Sequence, residues 1–367
     1  MHLYLHVPFC LRRCSYCDFS IAIRKRIPAR EWGEAIRGEL RITGAVTGPL
    51  ETIYFGGGTP SLLSPEAIGA VLLDAASSTP LLDAVEVTLE ANPEDVTSDG
   101  AAAWRKAGVN RVSLGAQCFD DQVLHWMHRS HDAARIGEAV RTLRAAGIDN
   151  ISLDLIFGLP AELYRDWPRD LDAACSLGPS HLSLYGLTVE ERTPLARWIS
   201  RGATTPPDEE RYAEEYLVAH ERLGAAGYQF YEVSNAAREG RRSRHNSAYW
   251  SGRAYRGLGP AAHSYDGRAR RWNLSAWAAY ARAIAAGRSP VESEEVLSGP
   301  QRELERVYLG LRTVDGLPSA AFPPDRPTAW TRLGWVVEDR GRLRCTPEGW
   351  LRLDSLVGDL TGDGITA

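Results

Sequence analysis

MHLYLHVPFCLRRCSYCDF, Met1 to Phe19, is the stretch whose reading decides the fold. A strand-like run, HLYLHV (His2–Val7), leads straight into three cysteines, Cys10, Cys14 and Cys17, within one turn-sized loop. Thiolates are the soft ligands that iron–sulfur clusters need. Three of them can hold three irons of a cubane and leave the fourth iron open to a small chelating molecule. Zinc is the competing reading, but a structural zinc site usually takes four protein ligands. The nearest extra candidate here is His6, and the next cysteine, Cys118, is far along the chain. A disulfide is weaker still, because three clustered thiols cannot all pair and nothing else points to export.

Outward from that loop, strand-like runs recur at Thr52–Phe55, Val85–Glu90, Arg111–Gln117, Ile151–Gly158 and His181–Leu187. Helix-like segments lie between them, for example Pro65–Ala76, Ala133–Ala146 and Trp167–Ser176, with helix-stopping glycines at Gly108 and Gly147. This alternation predicts parallel βα units with right-handed crossovers. Six units are too few for a closed eight-stranded barrel, so the expected fold is α/β, an open (βα)6 three-quarter barrel over residues 1–205. Cys10, the GGGTP loop, Glu90, Gln117 and Asp154 then fall at or near the C-terminal ends of their strands, which is the catalytic rim of such a barrel. Residues 206–292 read as a connecting helix, a strand and a polar, aromatic-rich loop. Residues 293–367 read as a small winged-helix-like α+β unit, with helices at Gln301–Arg312 and Thr328–Leu333, a hairpin at Trp335–Cys345 and a final helix at Pro347–Val357.

Bulk properties bound the function. The 367 residues are 44% hydrophobic and 24% charged, ordinary for a globular protein of one large and one small domain. The net charge of −5 argues against a broad nucleic-acid surface. No apolar stretch is long enough to span a bilayer, and no signal peptide is expected, so the predicted address is a reducing cytoplasm. Lys25 and Lys106 are the only lysines, a compositional bias toward arginine. Cys118, Cys175 and Cys345 read as scattered structural thiols.

The CxxxCxxC spacing behind HVPF resembles the radical S-adenosylmethionine (SAM) superfamily. MHLYLHVPFCLRRCSYCDF is closer still to one branch, the oxygen-independent coproporphyrinogen III dehydrogenases (HemN type) and the heme chaperones of the HemW type. The resemblance implies a [4Fe-4S] cluster on Cys10, Cys14 and Cys17, with SAM beside it. Gly57 and Gly58 followed by Thr59 match the loop that meets the methionine amino group of SAM. Tyr4 and Tyr16 match aromatics near the cofactor, the second over its adenine. Glu90 would hold SAM through its ammonium group, and Gln117, Arg129 and Asp154 match positions that contact a second SAM in the dehydrogenase branch. An arginine beside His125, His128 and His131 also reads as one polar side of a helix. HNSAYW (His245–Trp250) matches the HNxxYW motif of the chaperone branch, so His245 is the candidate heme ligand, with His263 as a second loop histidine. A plain reading has His245 hydrogen-bonded within its loop.

Phe19 separates the two branches. The dehydrogenases carry a further cysteine there and an N-terminal extension, whereas this chain reads CDF and starts at its first strand. The expectation is therefore a radical SAM heme chaperone without coproporphyrinogen dehydrogenase activity. Its implied partners are heme and acceptor hemoproteins such as respiratory enzymes at the membrane, with dimerisation and no nucleic acid. The alternatives are a true coproporphyrinogen III dehydrogenase and a zinc protein with a DNA-binding winged-helix tail.

Overall fold

Six strands build the centre of the molecule, each buried over most of its length except the third, whose first four residues are exposed: β1 (His2–Val7), β2 (Leu50–Gly57), β3 (Leu81–Ala91), β4 (Arg111–Gln117), β5 (Asn150–Phe157) and β6 (His181–Gly186). The computed structural model describes residues 1–44, 48–322 and 325–361. Each strand pairs in parallel with the next. Leu5, Phe55, Leu89, Leu114, Leu153 and Leu184 are essentially inaccessible to solvent, as expected of strands covered on both faces. The helices between them include Ala29–Thr43, Pro65–Ser78, Ser98–Ala107, Ala133–Ala145 and Trp167–Ser176. Gly108 and Gly147 end two of them at φ +115° and +79°, a conformation that strains any residue with a Cβ. The open (βα)6 barrel read from the sequence is the observed core.

Six further strands lengthen this sheet: β7 (Gln229–Glu232), β8 (Asn235–Ala237), β9 (Tyr255–Leu258), β10 (His263–Tyr265), β11 (Ala269–Asn273) and β12 (Val291–Val296). The order across the 12-stranded sheet is β12-β11-β10-β9-β1-β2-β3-β4-β5-β6-β8-β7. Strand β9 runs parallel to β1, with Tyr4 opposite Gly257, and so carries the chain back beside the cysteine loop.

Toward the C-terminus, helix Gly299–Arg312 carries a capping box of Ser298 and Gln301. A separate three-stranded sheet follows: β13 (Leu317–Pro318), β14 (Val336–Asp339) and β15 (Arg342–Cys345). The final helix expected from the sequence is two, Pro347–Trp350 and Leu353–Thr361. Val307, Leu311, Trp350 and Leu356 join the same apolar core as Tyr216 and Leu223 of helix Glu209–Ala225. Among the described residues no helix is long and apolar enough to cross a membrane.

Candidate functional site

The cysteine loop is closed by backbone pairing. Phe9–Cys10 runs parallel to Ala22–Ile23, with Ala22 N–H donating to Pro8 O at 2.6 Å and Arg24 N–H to Cys10 O at 2.9 Å. Cys10 is buried and Cys14 and Cys17 are half-buried. Two donors aim at these sulfurs: the Thr59 hydroxyl at Cys10 Sγ (3.3 Å) and Arg129 Nη1 at Cys14 Sγ (3.5 Å). Burial pushes the Cys10 thiol up to about 11, against the pull of Thr59. Without a metal it is a neutral thiol and a poor nucleophile. A guanidinium and a hydroxyl converging on sulfur suit thiolates bonded to iron. Among the described residues no three His, Cys, Asp or Glu side chains come together tightly enough for a single ion. A cubane places its irons at separate corners, so the donor set fits the cluster better than zinc.

The glycine loop presses against this strand. A Cβ on Gly58 would lie 2.7 Å from Phe9 O and 3.0 Å from Cys10 Sγ, and one on Gly57 would lie 2.6 Å from the His6 ring. Only glycine allows that approach, and Gly57 also has φ +114°. Gly57 N–H donates to Glu90 Oε2 (3.0 Å) and the Tyr54 hydroxyl to Glu90 Oε1 (2.8 Å). Burial raises the Glu90 carboxyl to about 7, with the Asp154 charge adding and the two donors opposing. Asp154 is itself raised by burial, while Ser113 donates to both its oxygens at 3.0 Å.

Arg129 is enclosed, not spread on a solvated face. Its Nη2 donates to Asn92 Oδ1 (2.6 Å) and Gly115 O (3.0 Å), and its Nε is buried without a protein partner. Burial opposes its charge, but Tyr16, Cys14 and Glu94 hold its pKa above the ordinary value. Gln117 sits at φ +67°, strained for a residue with a side chain. The expectation of one polar helix side for His125, His128 and His131 is corrected. The helix Asp121–Trp126 ends first, because Met127 and His128 turn back on its carbonyls and His128 takes φ +61°. His131 instead lies buried between Glu94 Oε2 (3.1 Å) and Ala116 O (3.2 Å).

Cys10, Cys14, Cys17, Tyr16, Gly57, Gly58, Thr59, Glu90, Gln117, Arg129 and Asp154 all line one cavity of about 500 Å³. Residues from four barrel strands and the cysteine loop therefore face a common space. Sequence reading missed Asn92, Ser113 and Tyr54, which position Arg129, Asp154 and Glu90. Polar residues in or just after strand-like runs give no periodic signal that they hold a neighbour.

Two expected residues lie elsewhere. Tyr4 stacks on Tyr54 (6.1 Å between rings, 25°) and faces an adjoining cavity of about 930 Å³. HNSAYW is not a loop but the helix Arg244–Trp250, and His245 lines neither cavity. The His245 ring is 1% exposed, with Nδ1 bonded to the Thr52 hydroxyl (2.7 Å) and Nε2 to the Tyr249 hydroxyl (2.8 Å). Burial pushes its pKa down to about 3. A neutral imidazole with both nitrogens engaged holds Tyr249 in place and offers no lone pair to iron in this arrangement. Tyr249 and Trp250 of the same motif do face the larger cavity, which shares Phe19, Gly57 and Glu90 with the first.

The Radical SAM superfamily matches residues 4–174. The chain is 40% identical over 369 residues to the heme chaperone HemW of Mycobacterium tuberculosis, covering 98% of this chain and 94% of that protein. It is 33% identical to the heme chaperone HemW of Escherichia coli K12, covering 97% of each. Among solved structures, coproporphyrinogen III oxidase (HemN) from Escherichia coli superposes with a TM-score of 0.79 at 20% identity, over 97% of this chain and 88% of that one. That last likeness concerns the fold alone.

Proposed function

The chain belongs to the HemW family of radical SAM proteins, and on that premise we propose that it binds heme and delivers it to acceptor hemoproteins. Its resident cofactors would be a [4Fe-4S] cluster on Cys10, Cys14 and Cys17 and SAM in the 500 Å³ cavity. The carrying observation is that a three-thiol cavity and an aromatic-walled cavity share Phe19, Gly57 and Glu90. A cofactor site and a space with rings for a flat macrocycle thus stand side by side.

The chain's own residues have definable tasks. Cys10, Cys14 and Cys17 would ligate three irons, and Thr59 and Arg129 would stabilise the negative charge on their sulfurs. Gly57 and Gly58 let backbone approach the methionine end of SAM, and Glu90, when ionised, attracts its cationic groups. Gln117, Arg129 and Asp154 line the rest of that cavity, where a second SAM would fit the family pattern. Tyr16, half-buried in the same wall, would cover the adenine. A cluster with SAM on its open iron supplies one electron to the sulfonium. Water exclusion by the half-buried Tyr16 would protect such a site.

Phe19 also argues against decarboxylation of coproporphyrinogen, because the dehydrogenase branch carries a cysteine there. A phenyl ring has no proton or metal ligand to offer. The reducing cytoplasm is the setting that suits a cluster held on three free thiols, with transient association at the membrane where respiratory acceptors sit, and a cluster-supported homodimer.

The test is anaerobic reconstitution followed by two assays on the same preparation. Hemin titration should saturate with a shifted Soret band, while coproporphyrinogen III with SAM and reductant should yield no protoporphyrinogen IX. Turnover of coproporphyrinogen would overturn the chaperone reading. Cys14→Ala should abolish the broad visible absorbance of the cluster and leave helix content unchanged; an unaltered spectrum would show that the ligands are misassigned.

A further inference from the structure

The 930 Å³ cavity has the size range of small-molecule sites. Tyr4, Tyr249 and Trp250 stand on the barrel side, and Tyr255 and Tyr265 on the added strands. Tyr249 and Tyr255 meet edge to face (4.6 Å, 81°), so the rings join into one aromatic wall against which a flat ligand can lie.

Nitrogen bases near this space differ in one decisive respect. His6 lines it but is buried, with Nδ1 bonded to the Tyr4 hydroxyl (3.2 Å) and Nε2 to Ser20 O (3.2 Å). His245 is behind the wall with both nitrogens engaged. His263 lines the cavity, is solvent-exposed, stacks on Trp272 (5.8 Å, 23°), and has no hydrogen-bond partner among the described residues. Burial of part of the ring and the nearby Arg270 charge lower its pKa, so the neutral ligand form prevails at physiological pH.

The far wall is helix Gly299–Arg312, which contributes Arg302 and Arg306. Arg270 is paired with Glu305 and Arg306 with Glu303. Arg302 donates to Leu297 O (2.7 Å) and has no carboxylate partner among the described residues, leaving donors for an anion. A planar ligand bearing carboxylates and a coordinating metal matches rings, free imidazole and free guanidinium together.

Resting on the heme reading above, we infer that heme docks in this second cavity with His263 as the iron ligand and Arg302 as a propionate partner. HNSAYW then acts through the wall it builds, and the iron bond forms from an imidazole lone pair with no change of oxidation state.

The experiment is hemin titration of the anaerobically reconstituted full chain, read by Soret position and by electron paramagnetic resonance. His263→Ala should weaken affinity tenfold or more and abolish the histidine-ligated signature, and added imidazole should restore that signature. His263→Gln, which keeps a polar side chain at the position, should behave as His263→Ala does. Arg302→Glu should weaken binding of hemin but not of its dimethyl ester. Circular dichroism and cluster absorbance check that each variant folds. If both His263 variants match the parent in affinity and spectrum, this assignment is wrong and the chaperone reading stands. If the parent takes up no hemin at all, the chaperone reading itself falls.

Discussion

Glu90 shows how its surroundings set the charge of a single half-buried acid. Its folded pKa of about 7 lies above the ordinary 4.5, so the folded state holds the proton more tightly than the unfolded chain does. Its contribution to stability is therefore present below about pH 4.5 and is lost as pH rises toward 7. Glu90→Gln should raise stability by up to about 3 kcal/mol at pH 8 and by little at pH 4, checked by denaturant titration. The same substitution should weaken SAM binding, because the ionised carboxylate attracts the cationic ligand. In calorimetry the parent's affinity for SAM should climb between pH 6 and 8, and that of Glu90→Gln should stay flat. Gly58→Ala should cut iron loading severalfold, since its methyl would meet Phe9 O at 2.7 Å; iron and sulfide analysis reads this directly. That Cys10, Gly57 and Gly58 meet at one cavity was legible, because cysteines and glycines in a fixed local pattern stand out without knowledge of their neighbours. Tyr54 and Ser113 were not, because their value lies in partners 36 and 41 residues away.

At the scale of elements, the helix Arg244–Trp250 is the instructive case. Read locally, RRSRHNSAYW is polar and aromatic and suggests a loop. The structure makes it helical because its first turn is satisfied from afar. Ser243 caps it, and the Glu86 carboxylate accepts both Arg244 N–H and His245 N–H at 3.1 Å. Glu86 is on β3, 158 residues earlier for Arg244, so no short-range pattern could have supplied it. The spacing of four then puts His245 and Tyr249 on one face. Glu86→Ala should cost about 1–3 kcal/mol by leaving those donors unpaired. Hydrogen exchange should quicken across 244–250 while the strands of the barrel keep their protection. The barrel strands themselves were legible from short apolar runs alternating with helical segments. Their exact ends were not, since β3 runs from Leu81 through exposed residues that no burial pattern marks.

Seen as a whole molecule, the chain is a partial barrel whose sheet is carried on by β9 to β12, so that a second cavity opens beside the first. The barrel was legible because six repeated strand–helix units leave few topologies. The larger cavity was not, because it arises where β9 pairs with β1, and the register partners Tyr255 and His2 are far apart in the sequence. The two adjacent cavities share Phe19, Gly57 and Glu90, and the proposed heme transfer rests on that adjacency. The most direct measurement is anaerobic transfer of heme from the heme-loaded chain to a heme-free respiratory enzyme. The account predicts that the Soret signal moves to the acceptor and that its activity returns, with cluster-free Cys14→Ala slower to release. Heme that stays on the chain in the presence of a competent acceptor would contradict it.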